Sequence, residues 1–85
     1  MGEAVHRGLP VSGYRAQSAS AVDEVNRNKE LEERVLRRLD QMQQLDPHVD
    51  LRWLAIGRTH IEQAFMAINR AVFQPARATL PGDGE

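Results

Sequence analysis

The stretch from Asp50 to Pro75, DLRWLAIGRTHIEQAFMAINRAVFQP, constrains the fold more than any other part of the chain. On a helix of 3.6 residues per turn, Trp53, Leu54, Ile56, Ile61, Ala64, Phe65, Ile68, Ala71 and Val72 spread around most of the circumference. Only Arg52, Thr59, Gln63 and Arg70 line up as a polar face. One antiparallel partner helix covers part of that apolar arc, and each side chain left wet forgoes about 1.5 to 3 kcal/mol. A chain carrying this helix is therefore expected to be a piece of something larger, a hairpin packed on further hairpins in a symmetric oligomer.

Length points the same way. The 85 residues allow one small domain, and such a domain buries only roughly 60% of its unfolded surface when alone. With no cysteine, neither a disulfide framework nor a zinc-thiolate site is available, and a cytosolic setting is expected. The N-terminal residues have no apolar run for a signal peptide, and no stretch approaches the roughly 20 apolar residues of a membrane span. His6 stands where an N-myristoylation motif needs Ser or Thr. Eleven basic and 12 acidic side chains give a net charge of -1. Proteins that hold duplex nucleic acid by neutralising phosphates are usually strongly basic, so that partner class is set aside.

The chain divides into three parts. Residues 1–13 carry Gly2, Gly8, Pro10 and Gly13, and residues 76–85 carry Pro81, Gly82 and Gly84, so a flexible leading segment and a disordered tail are expected. Between them lies a helical hairpin domain, residues 14–75. Its first helix is expected over about 20–45, with Ser20 as N-cap and Asp23 completing an imperfect capping box. Asp23 and Arg27, Glu30 and Arg34, and Glu33 and Arg37 are acid-base pairs four residues apart, worth about 0.2 to 0.5 kcal/mol each. A buried stripe is read as Ala21, Val25, Asn28, Leu31, Val35, Leu39 and Met42, with Asn28 its polar misfit. Pro47 breaks the helix, and so short a connection turns the chain back antiparallel. Asp50 is expected to cap the second helix, about 51–74, with Val49 and Leu54 as a hydrophobic staple and Pro75 as the stop. Both helices come to roughly 35 Å, so they can pair along their length. No strand signal and no internal repeat is present. The fold class is all-α.

Catalytic chemistry finds little support. There is no cysteine nucleophile, the serines cluster ahead of the first helix, and Gly-rich phosphate loops of the GxGxxG or GxxxxGK type do not occur. His60 with Glu62, or His48 with Asp50, lacks the two-His helical spacing of a zinc motif, and His60 reads as an edge residue of the hairpin. No catalytic residue, metal site or cofactor is expected.

A binding site is easier to compose. Tyr14 and Arg15 lie just ahead of the first helix, and Asn26, Asn28 and Lys29 follow within it. An aromatic face can stack on a nucleobase, cations pair with phosphates, and asparagine can read base edges. Each residue also has a structural reading: Tyr14 folding over the hairpin end, Asn28 setting register as a polar core residue does in coiled coils, Lys29 facing solvent, and Arg70 offsetting the helix dipole. The residue types alone favour those structural readings.

Resemblance shifts that balance. RWLAIGRTHIEQAFMAINRAVFQP, preceded by Tyr-Arg and a polar helix, resembles the phage anti-defence hairpin family, whose members are sponges against CBASS and Thoeris immunity. The likeness covers Tyr14 to Pro75 and is most specific in RWLAI, RTH and QAFMAINRA before the closing Gln-Pro. It implies a two-helix protomer assembled into a hexamer in the cytoplasm of an infected bacterial host. Such a protein binds cyclic oligonucleotide messengers, cyclic dinucleotides such as cyclic GMP-AMP and in some members cyclic trinucleotides, without cleaving them. It further implies that Tyr14 stacks on a base and Lys29, with Arg15, meets phosphates in a dinucleotide pocket between protomers. Arg70, with Asn28 and Thr59 as neighbours, matches a second, trinucleotide pocket. The chain departs from shorter members in its longer N-terminal segment and polar C-terminal tail.

Two other readings compete with a sponge. An adaptor hairpin would dock a partner protein through its apolar arc and ignore nucleotides. A phosphodiesterase would destroy the same messengers, and for it the sequence offers neither a metal cluster nor paired histidines.

Overall fold

The structure, a computed structural model, describes residues 5–6 and 11–84. Two long helices dominate it: α1, Ala19–Leu45, and α2, Leu51–Phe73, run antiparallel as a hairpin. Ahead of them, β1, Val5–His6, pairs antiparallel with β2, Gln17–Ser18, in the register Val5 to Ser18 and His6 to Gln17. That short ribbon corrects the expectation of no strand. Of the leading segment read as flexible, residues 1–4 and 7–10 lie outside the described residues.

The ribbon also moves the start of α1. Ser18, the last residue of β2, has extended backbone at φ -73° and ψ 161°, and its side chain accepts from the Ala21 amide at 3.2 Å. Ser18, not Ser20, is the N-cap, because strand pairing holds Ser18 in the non-helical geometry a cap requires. Ser20 already lies inside the helix, which begins at Ala19, and so is past the position a capping residue occupies. Two of the three expected ion pairs are present, Arg34 to Glu30 at 2.8 Å and Arg37 to Glu33 at 2.9 Å. Asp23 and Arg27 form none among the described residues.

At the turn, the Asp46 amide donates to the Met42 carbonyl and its carboxylate accepts from the His48 amide at 2.9 Å. Asp50 caps α2 by accepting from the Trp53 amide at 3.1 Å, a bond worth about 1 kcal/mol. At the far end Pro75 bars helical geometry at the residue before it. Gln74 therefore takes left-handed backbone, φ 46°, and α2 stops at Phe73, one residue short of expectation.

The seam of α1 is Ala21, Val25, Asn28, Glu32, Val35, Leu39 and Met42, a strict alternation of four and three. Leu31, expected in that stripe, is 54% exposed, and half-buried Glu32 holds its place. Hydrophobicity pointed to Leu31, but the 3.5-residue repeat of a two-helix seam selects the next position. From α2 come Leu54, Arg58, Ile61, Phe65, Asn69 and Val72, all partly covered. Arg58 donates to Asp40 at 2.6 Å and ties the two helices in the half nearest the turn.

Val25, 3% exposed, is the only buried apolar side chain among the described residues. Trp53 (65% exposed), Met66 and Ile68 are open on α2. The radius of gyration is 18.1 Å, against about 12 Å for a compact chain of this length. Two helices in one layer leave most apolar surface uncovered. Among the described residues no helix is long and apolar enough to cross a membrane.

Candidate functional site

The segment leading into α1 is strapped to the end of α2 at two points. A turn at 11–14 closes with the Tyr14 amide donating to the Val11 carbonyl at 2.9 Å, and the Gly13 carbonyl accepts from the Ala76 amide at 2.8 Å. Gly13 has φ +80°, and a Cβ there would collide with the Ala76 carbonyl oxygen, so the close passage of the two backbones requires glycine. Four residues on, the Gln17 Nε2 donates to the carbonyls of Arg15 and Phe73, both at 2.9 Å. Gln17 is 8% exposed, the only buried polar side chain among the described residues. Replacing Gly13 with Ala should cost about 1 to 3 kcal/mol through strained backbone, read as a lower melting temperature by circular dichroism. It should also free the lead-in segment to faster amide exchange at Tyr14 and Ala76.

The straps create a groove of about 290 Å³ lined by Tyr14, Arg15, Gln17, Met66, Asn69, Arg70, Phe73 and Pro75. Three of the residues singled out in the sequence, Tyr14, Arg15 and Arg70, thus meet in one place although Arg70 lies on the other helix. Lys29 lines an adjoining hollow of about 430 Å³ that shares Met66, Asn69 and Phe73 with the groove and also contains Glu32 and Glu62. Asn28 stands behind both, donating through Nδ2 to the Asn69 Oδ1 at 3.1 Å across the seam. Thr59 stands apart: it is eleven residues before Arg70, about 16 Å along the helix, and its hydroxyl donates to the Ala55 carbonyl at 3.1 Å. Within one protomer the proposed trinucleotide trio of Arg70, Asn28 and Thr59 is not brought together.

Two cations, Arg15 and Arg70, line the groove, and Lys29 stands beside it with Glu32 and Glu62. Arg15, Lys29 and Arg70 are exposed and form no ion pair among the described residues. Tyr14, 51% exposed, offers an aromatic face at the rim. Gln17, Met66, Asn69 and Phe73 were not singled out in the sequence. Asn69 had a local signal, a polar residue inside an apolar run beside Arg70, whereas Gln17 had none, because its partner lies 56 residues away. No three His, Asp or Glu side chains gather as a metal site among the described residues.

A family model described as Acb2/Tad1, hairpin domain, matches residues 9–73. The chain belongs to that family. It is the family of anti-CBASS and anti-Thoeris sponges, so the resemblance read from RWLAI, RTH and QAFMAINRA holds. No curated protein and no solved structure matches the chain. The hairpin-family match ends at Phe73, the last residue of α2, and takes in Tyr14, Arg15, Asn28, Lys29, Thr59 and Arg70. Pro75 and Ala76, which close the end of the groove and hold Gly13, lie beyond it.

Proposed function

We propose that this protein is an anti-defence sponge that binds cyclic oligonucleotide second messengers, cyclic dinucleotides foremost, and keeps them from CBASS effectors without cleaving them. The observation that carries this reading is the convergence of Tyr14, Arg15 and Arg70 on one groove, with Lys29 beside it, in a chain of the Acb2/Tad1 hairpin family. Tyr14 stacks on a base, Lys29 and Arg15 meet phosphates, and Arg70 closes the far wall or serves a second pocket completed by other protomers. A 290 Å³ groove lies at the small end for a nucleotide site. A partner copy facing it would enlarge and enclose it, and assembly into a hexamer is part of the proposal.

Assembly is favoured by the lack of a core. One buried apolar side chain cannot offset the entropy of ordering two helices, and Trp53, Gly57, Ala64, Ala67, Ile68 and Ala71 form a second, outer face of α2 beside the seam, whose Ile68 and Ala71 border a hollow with Ala21 and Asn28 of α1. Gly57 faces open space, and in a helix interior glycine is about 0.5 to 1 kcal/mol worse than alanine. A closely approaching neighbour gives that glycine a use.

The test is isothermal titration with cyclic GMP-AMP, followed by heat release and chromatography of the ligand. Tight binding with intact ligand recovered is the expected result. Altered ligand would make the protein an enzyme, and no binding of any cyclic nucleotide would favour an adaptor that uses the same apolar face for a partner protein.

A further inference from the structure

Gln17 does more in this site than hold the lead-in segment. Its Nε2 donates to two backbone carbonyls, those of Arg15 and Phe73. A carbonyl oxygen can only accept, so the nitrogen must face both and the orientation of the amide is fixed by chemistry rather than by choice of flip. Both amide hydrogens are then used, and Oε1 is turned away from the backbone it spans. That oxygen accepts from no described group, and no buried polar side-chain atom among the described residues lacks a partner. It is therefore not fully enclosed, and Gln17 is one of the residues that line the groove containing Tyr14 and Arg70.

We infer that Gln17 is a specificity-determining residue, its Oε1 accepting the exocyclic amine of the purine that stacks on Tyr14. This rests on the reading of the groove as a nucleotide site and adds to it the part of the base that is read. Three features support the assignment. The acceptor is rigid, since two hydrogen bonds lock the amide, and so little freedom is lost on binding. It sits in a residue more than nine-tenths buried, where an acceptor facing a ligand without a donor loses its water and gains nothing. And the same amide ties down the backbone next to Tyr14, so stacking face and edge acceptor are held by one side chain.

The test is a double-mutant cycle between protein and ligand. Cyclic di-AMP and cyclic di-GMP are titrated into the full chain, and the tighter of the two is compared with its analogue lacking the exocyclic amine, purine riboside for adenosine or inosine for guanosine. The expected result is a loss of about tenfold on removing the amine, the size of one buried hydrogen bond left unmade. In Gln17→Met, with helix content unchanged by circular dichroism, parent and analogue should bind equally, even if both bind more weakly. A loss on removing the amine that is the same in wild type and Gln17→Met would overturn the inference and leave Gln17 as a structural strap. Equal binding of parent and analogue to wild type would overturn it as well. Failure of both parent ligands to bind wild type would overturn the inference about Gln17, and failure of cyclic GMP-AMP and every other cyclic nucleotide as well would remove the nucleotide reading of the groove itself.

Discussion

Replacing Tyr14 with Ala should weaken cyclic dinucleotide binding roughly 5- to 150-fold while leaving the assembly intact. The range is that of a base-aromatic stack, about 1 to 3 kcal/mol, converted at about 1.4 kcal/mol per tenfold. Tyr14 is half exposed at the rim of the groove and lies outside both the α1–α2 seam and the outer face of α2. On the proposed reading, its removal deletes a ligand contact and leaves the hairpin packing in place. Tyr14→Phe keeps the ring and should bind close to wild type, which separates stacking from any role of the hydroxyl. Titration with cyclic GMP-AMP beside sedimentation velocity measures both quantities on one preparation. Unchanged affinity in Tyr14→Ala would place the ligand elsewhere.

Ile68→Asp should dissociate the assembly. Ile68 is not a member of the seam that α2 presents to α1; it stands half exposed beside it with Ala71, at the edge of an open hollow shared with Ala21 and Asn28. The protomer by itself should tolerate a carboxylate there. Buried between copies, the same carboxylate would lack a partner and cost several kcal/mol per interface. The expected outcome is a shift to a smaller species in sedimentation, with loss of thermal stability because a hairpin with one buried apolar residue has little to stand on. Retention of the parent species would mean that the outer face is not the subunit interface, and the adaptor reading would gain.

Where local chemistry decides structure, the residues announced it. Pro47 with Asp50 makes the turn and the second cap, and Pro75 makes the stop, because proline geometry and a carboxylate aimed at free amides act over a few bonds. Local chemistry does not decide where two residues of similar merit compete. Ser18 and Ser20 are equally good caps, and pairing of β2 with β1 chose Ser18. Leu31 and Glu32 compete for one seam position, and the period of the pair placed the carboxylate inside and the leucine outside. The exposed Leu31 is itself a consequence of the surplus apolar surface that the second helix had already signalled.

A helical hairpin, its turn, its family and the chemical types of its candidate binding residues were legible along the chain, because periodicity, caps and prolines are properties of neighbouring residues. Which of those residues share a site was settled by contacts distant in the chain. Tyr14 and Arg70 meet because Gln17 reaches Phe73 and Gly13 reaches Ala76, and Asn28 stands behind the groove because it bonds Asn69, 41 residues away. Thr59 was set apart from Arg70 by the rise of a single helix. Hydrogen bonds that close so long a loop leave no mark on local composition, so the strap that builds the site could be seen only once the chain was folded.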